Sequence, residues 1–523
     1  MLFAVVGLTL LMACTNLAAL LLAHAAARRR EITIRLATGA KRSRLVRQLL
    51  VEGALLAIGG ALAGLALAWW GVRALLALIA AGPAPIPIEV HPDLRIAGFT
   101  AGVAMVTTLL FSLAPAVRAT GVDVARGLKE DTPASSSTRF GAIRVLVVVQ
   151  IATALLLLSG ATLFGRTLSN LRSVRLGFNP HQLIVFDVAL ASNGYRGERV
   201  VQFFPRLLDR LRQVRGVTGA TLVGQRLVDG IVSNGPITVE GSTAKRCSVY
   251  FNWVGPDFLD VLQMPLASGR TLETRDMTPA AMAAVVNETA ARECFDGVAI
   301  GKRYRRGDSV TEVVGVVKDA IYDRVRREPP PTVLLPYTSF SSISPQTTVV
   351  VRTAGDSAEA VAGIRRAVGE LDRTLPLVRL KTMETQIDDT LAQERLFASL
   401  VSLFGVIALA LSGVGLYGLV ASSVTSRTRE IGVRMALGAR RVSVLRMVLQ
   451  QVALTALAGI VLGLPATWAL SRLVETQLFG VKPHDPAAMA IAALGIVATA
   501  IAAAIWPALR AIRIDPVRAL RYE

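Results

Sequence analysis

Arg429-Glu430-Ile431-Gly432-Val433-Arg434-Met435-Ala436-Leu437-Gly438-Ala439-Arg440-Arg441 closes a long apolar run. The same phrase stands 399 residues earlier as Arg30-Glu31-Ile32-Thr33-Ile34-Arg35-Leu36-Ala37-Thr38-Gly39-Ala40-Lys41-Arg42. Two copies of a basic, amphipathic stretch, each after an apolar segment, predict a duplicated membrane protein with two equivalent elements on one face of a bilayer. The self-similarity extends beyond the loudest motif, as a true repeat should. At the same offset Gly60 and Gly64 fall on Gly459 and Gly463, Trp69 on Trp468, and Arg73 on Arg472. A second block, Pro115-Ala116-Val117-Arg118-Ala119 with Asp123, Arg126 and Leu128, matches Pro507-Ala508-Leu509-Arg510-Ala511 with Asp515, Arg518 and Leu520.

At 53% hydrophobic residues over 523 positions and a mean hydropathy of +0.52, the composition is that of an integral membrane protein. A helix needs roughly 20 apolar residues to cross the hydrocarbon core. About seven segments qualify on that measure: 2–24, 51–80, 95–117, 145–166, 397–423, 452–474 and 487–509. The loops 25–48, 118–144, 425–450 and 510–523 are crowded with Lys and Arg, whereas 81–94 and 475–486 are nearly free of them. Basic loops face the cytoplasm, and the alternation is consistent through every span. That topology puts Met1 on the outer side with nothing ahead of the first span, so the start reads as truncated. The net charge of +20 is explained by this positive-inside pattern and by anionic headgroups, not by nucleic acid.

Residues 169–395 have soluble-domain character. Short β-branched runs at 183–188, 220–223, 248–253, 283–287, 312–317, 332–336 and 347–352 read as strands, and 198–214 and 357–371 as amphipathic helices. The fold class is therefore an α-helical membrane protein of two repeated units with one α+β extracytoplasmic domain, in which a strand-rich middle, about 245–340, is inserted as a second lobe. The organisation expected is a first permease unit at 1–130 with its elbow at 28–48, a cytoplasmic linker at 131–144 whose 133–138 stretch reads as flexible, a span at 145–168, the outer domain at 169–395, and a second unit at 396–523 with its elbow at 427–450.

No catalytic constellation is visible. Gly297-Val-Ala-Ile-Gly301-Lys302-Arg303 is one residue short of a Walker A loop and lacks its Ser or Thr. His24, His91, His181 and His484 have no ligand spacing. Leu11-Met12-Ala13-Cys14 resembles a lipoprotein cleavage site but lies inside an apolar run that continues to Leu22. Cys247 and Cys294 lie in the outer domain, either as buried thiols or as a disulfide in an oxidising compartment. No bound cofactor and no metal are expected. With intramembrane charge sparse, the energy for any transport has to come from a separate chain.

In each repeat, Ile32 and Leu36 or Ile431 and Met435 are four apart and form one helical face. Gly39 or Gly438 then breaks the helix, and a second helix leads into the next span. Such a basic elbow also fits simple interfacial anchoring. The shared order Arg, Glu, Arg, Gly, Ala exceeds what anchoring needs and argues for a shaped partner surface. Gly60 with Gly64 and Gly459 with Gly463 are small-xxx-small patterns that suit close helix packing.

The elbows, the Asp123 and Asp515 tails, and the phrases Val285-Val286-Asn287-Glu288-Thr289-Ala290, Ile300-Gly301-Lys302-Arg303 and Val313-Val314-Gly315-Val316-Val317 together resemble the MacB/FtsX-type permease family of ABC transporters, in particular its duplicated members. The resemblance implies four spans per unit, an extracytoplasmic domain after the first, and a cytoplasmic coupling helix after the second. On that resemblance, Arg30, Glu31, Arg35, Gly39 and Ala40, with Arg429, Glu430, Arg434, Gly438 and Ala439, fall on the region that docks an ATPase. The partners implied are separate ABC ATPase subunits holding ATP and magnesium, and a periplasmic adaptor or outer-membrane channel; the location implied is the bacterial inner membrane. The function implied is efflux or export by mechanotransmission; the alternative is a signalling subunit that transports nothing and regulates an outer enzyme such as a cell-wall hydrolase.

Overall fold

The computed structural model describes residues 2–27, 35, 41–80, 95, 98–103, 105–106, 133–190, 193–195, 198–241, 246–278, 282–339, 347–355, 357–426, 428–437 and 440–512. The chain divides into two compact units, one holding the apolar helices and one spanning essentially residues 171–393.

The helical unit contains α1 (Leu2–Ala27), α2 (Arg42–Ala80) and α3 (Pro133–Arg172). Beyond the outer domain, whose helices are α4 to α8, the chain returns to this unit with α9 (Ala392–Ser426), α10 (Thr428–Ala436), α11 (Arg441–Ser471) and α12 (Pro486–Ile512). Among the described residues, four helical segments are long and apolar enough to cross a membrane, at 143–172, 392–425, 441–477 and 486–510. Seven were expected. The described apolar parts of α1 and α2, Phe3–Ala19 and Ile58–Arg73, are shorter than a span, and most of 95–117 lies outside the described residues. The stretch 133–138, expected as flexible linker, is instead the start of α3. Pro133 is tolerated there because a first-turn proline loses no intrahelical bond.

The spanning helices pack through small residues. A Cβ on Gly459 would lie 2.5 Å from the Ile151 side chain, and one on Gly463 would lie 3.0 Å from the Ala152 backbone, so α11 and α3 approach as closely as backbones allow. Gly413 of α9 faces Thr499 of α12 in the same way, at 3.3 Å. A continuous apolar core built on Val147, Ile151, Leu155, Leu416, Val420, Val452, Ile496 and Ala500 results. Met12 and Val5 bring α1 against Ala154 and Leu157 of α3 and Ala408 of α9.

The outer domain opens with β1 (Leu183–Val188), an all-buried strand, then α4 (Glu198–Arg212), β2 (Val217–Val223), β3 (Ser233–Val239), β4 (Cys247–Val254) and the short α5 (Phe258–Leu262). It continues with β5 (Leu266–Gly269), β6 (Ala283–Asn287), α6 (Glu288–Cys294), β7 (Arg303–Arg306), β8 (Ser309–Val317) and β9 (Thr332–Pro336). It closes with β10 (Thr347–Thr353), α7 (Ser357–Leu371), β11 (Leu377–Thr382) and α8 (Met383–Thr390).

The outer strands and helices form a ferredoxin-like β-α-β, β-α-β lobe with antiparallel order β11-β1-β10-β2. Phe203, Phe204, Leu207 and Leu211 of α4 and Ile364 and Val368 of α7 bury against its sheet. Between β2 and β10 the chain builds a second lobe in the order β4-β3-β7-β8-β6-β9, and parallel pairing of β9 with β4 closes it into a barrel. Phe251, Trp253, Val286, Phe295 and Leu335 fill the core of the barrel lobe. The inserted lobe was expected, and it starts one strand earlier than read. Cys247 and Cys294 are joined as a disulfide, with Cα atoms 5.7 Å apart, tying β4 to the end of α6. Gly297 and Gly301, the Walker-like glycines, are left-handed turn residues, and Lys302 Nζ donates to the Phe295 carbonyl at 2.8 Å.

Candidate functional site

The second elbow is built by three short-range facts. Thr428 Oγ1 donates back to the Val424 carbonyl at 3.0 Å, tying the start of α10 to the last turn of α9. Ile431, 1% exposed, and Met435 turn into the helical core beside Val424, Val444 and Val448. Ser443 then donates through both its backbone N–H and Oγ to the Arg440 carbonyl, starting α11.

The apolar face read from Ile431 and Met435 is thus the inward one. What remains outward is Glu430, Val433, Arg434 and Leu437, with Leu437 83% exposed. Glu430 and Arg434 pair at 2.5 Å across one helical turn. An exposed i,i+4 pair is worth only about 0.3–0.5 kcal/mol, so its effect is to orient the two side chains. Exposed leucine and valine beside an ordered ion pair form a surface of mixed chemistry, suited to a protein partner. The side chain of Arg429, and Gly438 and Ala439, lie outside the described residues.

In the first elbow Arg30, Glu31, Gly39 and Ala40 lie outside the described residues, while Arg35 is described. Two contacts of the described residues recur at equivalent positions of the second copy. Arg35 Nη1 donates to Gln48 Oε1 at 3.3 Å, and Arg434 Nη1, its counterpart, reaches Met447 Sδ at 3.6 Å. Arg44 N–H donates to the Lys41 carbonyl as Ser443 N–H does to that of Arg440. Toward the other end of each following helix, Arg73 lies over the Trp69 ring at 3.8 Å and Arg472 over Trp468 at 4.3 Å. The glycine pairs differ. Gly459 and Gly463 pack on α3, whereas a Cβ on Gly60 or Gly64 would meet nothing within 4 Å among the described residues, so close packing at the first pair is not observed.

The outer domain carries a buried ionic node that no motif announced. Asp187 of β1, 1% exposed, accepts from Arg226 at 3.0 Å, Arg379 at 2.6 Å and Thr348 at 2.7 Å. Arg379 also pairs with Asp229 at 2.8 Å. Arg226 donates from Nε to Gln386 of α8 at 3.0 Å. Burial pushes the Arg226 guanidinium below its ordinary pKa, against the pull of Asp187. For Arg379 burial acts in the same downward sense, but hydrogen bonds to Asp187 and Asp229 outweigh it and the pKa rises. The node thus clamps α8 onto the sheet, and α8 runs through Leu391 directly into α9. Its only legible signal was a carboxylate inside the otherwise unbroken apolar run Leu183–Val188.

No group of His, Cys, Asp and Glu able to hold a metal occurs among the described residues. His181 pairs with Glu384 at 3.2 Å, and His484 stacks on Trp468. Asp389 is half-buried and paired with Lys381 at 2.7 Å.

Two family models match. That of the FtsX-like permease C-terminal region covers residues 3–124 and again 402–516, and that of the MacB-like periplasmic core domain covers residues 145–367. Similar proteins include the macrolide export ATP-binding/permease protein MacB of Shigella sonnei, 31% identical over 296 residues, and that of Escherichia coli K12, 30% identical over 296 residues. Each alignment covers 52% of this chain and 43% of the relative, so the chain spans less than half the length of these curated relatives. Among solved structures, the periplasmic region of MacB from Actinobacillus actinomycetemcomitans aligns at 16% identity and a TM-score of 0.29, covering 43% of this chain and 97% of that one. The extracellular domain of the transporter YknZ aligns at 16% identity and a TM-score of 0.26, covering 37% of this chain and 100% of that one.

Proposed function

We propose, for a chain that belongs to the MacB/FtsX-type family of ABC transporter permeases, that it is the membrane subunit through which separate cytoplasmic ATPases drive motion of the extracytoplasmic domain. The observation that carries this reading is the geometric recurrence of the elbow, with Arg35 and Arg434 reaching matched partners one helix on. Two like-built surfaces on one membrane face suit two copies of one motor. ATP and magnesium belong to that motor, and this chain binds no cofactor of its own. The outward residues Glu430, Val433, Arg434 and Leu437 contact the ATPase, while Ile431 and Met435 deliver the push into the helical core.

Location in a bacterial inner membrane, with a periplasmic adaptor or outer-membrane channel as further partner, follows from the same reading. Export, rather than control of an outer enzyme, is favoured by the relatives named for macrolide export. The test is co-purification of the full chain with candidate ABC ATPase subunits, followed by ATPase assays on Glu31→Lys with Glu430→Lys. Loss of the permease-dependent change in ATPase rate is expected. Swapping the pairs, Glu430→Arg with Arg434→Glu and likewise Glu31→Arg with Arg35→Glu, separates partner contact from helix geometry. If the ATPase stays bound and responsive to the double Lys variant, the docking assignment is wrong.

A further inference from the structure

Within the helical core, two carboxamides converge on one glycine. Asn16 of α1 is 5% exposed and Gln150 of α3 is fully buried. Gln150 Nε2 donates to the Met12 carbonyl of α1 at 3.2 Å, and Asn16 Nδ2 donates to the Leu411 carbonyl of α9 at 3.3 Å. Those bonds fix both amides, because turning either one would set its oxygen against a carbonyl oxygen. The two side-chain oxygens, Asn16 Oδ1 and Gln150 Oε1, then have no donor among the described residues. Both face Gly415 of α9, where a Cβ would lie 2.3 Å from Gln150 Oε1 and 3.5 Å from Asn16 Oδ1. The oxygens are therefore no more than about 6 Å apart, and a water donating to both spans roughly 4–5 Å.

We propose that Asn16, Gln150 and Gly415 form a binding site for a single water molecule that donates one proton to each amide oxygen and joins α1 of the first repeat to α3 and α9 of the second. A buried acceptor left without a donor is costly, and two of them aimed at one point call for a two-donor ligand. A metal cation fits poorly, since two neutral oxygens fall far short of the six or more ligands a hard cation takes. An apolar filler fits worse. Glycine at position 415 is what leaves room for the Gln150 amide oxygen to sit against α9. The site rests on geometry alone and holds whether or not the ATPase reading does.

Radiolytic hydroxyl labelling of the full chain in lipid nanodiscs tests this, because radicals formed at a bound water mark its neighbours even where bulk solvent cannot reach. Met12, only 1% exposed, supplies the carbonyl next to the site and is the reporter. In the native chain Met12 is expected to be oxidised about tenfold faster than in Asn16→Leu with Gln150→Leu, which removes both acceptors. Gly415→Ala, whose methyl displaces the Gln150 amide oxygen, is expected to act in the same direction. Equal Met12 labelling in native and double-Leu chains overturns the proposal. So does a melting temperature that depends on whether sodium, potassium or choline is the cation, since that outcome assigns the site to an ion.

Discussion

Asn287 holds three segments of the barrel lobe with one amide. Its Nδ2 donates to Asp319 at 2.7 Å and to the Pro330 carbonyl at 2.9 Å, while its Oδ1 accepts from Ala290 at 3.0 Å and Thr332 at 2.7 Å. It is thereby both the cap of α6 and the pin between β6 and β9. Asn287→Ala should destabilise the barrel lobe by about 2–3 kcal/mol, because the buried N–H groups of Ala290 and Thr332 lose their acceptor. Hydrogen exchange of the intact chain should show that loss in β6 and β9 and not in β1. Asp276 gives a pH-dependent counterpart. Hydrogen bonds from Arg270 hold its carboxyl below the ordinary 3.8, against burial, which raises it. A lowered folded pKa gives stability that is present above about pH 4 and lost as pH falls through the folded value. The melting temperature of Asp276→Asn should therefore fall less between pH ~6 and ~3 than that of the native chain. The phrase around Asn287 was legible in the sequence, but its work was not. Apart from Ala290, its partners lie 32, 43 and 45 residues away, beyond any local pattern.

At the scale of elements, the two glycine pairs should respond with opposite signs. Gly459→Ala drives a methyl into Ile151 and should cost about 1–3 kcal/mol. Gly60→Ala meets nothing and gains helix propensity of up to about 1 kcal/mol. Melting temperatures of the detergent-purified variants distinguish the two. Reduction of the Cys247–Cys294 disulfide should likewise destabilise the barrel lobe, by about 2–5 kcal/mol, read as faster exchange in β4. The strands that sequence reading located, such as β1, β6, β9 and β10, are apolar runs with no breakers. Those it missed fail the pattern for identifiable reasons. β3 carries Gly235-Pro236, a pair that argues against a strand. β7 is Arg-Tyr-Arg-Arg with only Tyr304 turned inward, where burial raises its hydroxyl to about 12. β11 lies at the sheet edge, half-exposed along its length, so tertiary pairing with β1 decides it.

For the whole molecule, the duplication predicts a stoichiometry. Two matched elbows should recruit two ATPase subunits per chain, and Glu430→Lys alone should leave one, a difference that mass photometry of the purified complex resolves. The second elbow's sequence identified the buried face of α10 and left its outward face to the structure, because which side of an amphipathic helix meets a partner depends on what already covers the other. The ionic node around Asp187 was beyond reach for the same reason, since its members come from β1, β11, α8 and the segment after β2.

The barrel leaves the ferredoxin-like lobe after Val223 of β2 and returns at Thr347 of β10, and Val223 stands opposite Thr348 in the ladder. Its two ends consequently emerge side by side, like the contacts of a plug-in cartridge. Such a cartridge can be lengthened, reshaped or exchanged while the sheet beneath keeps its strand order.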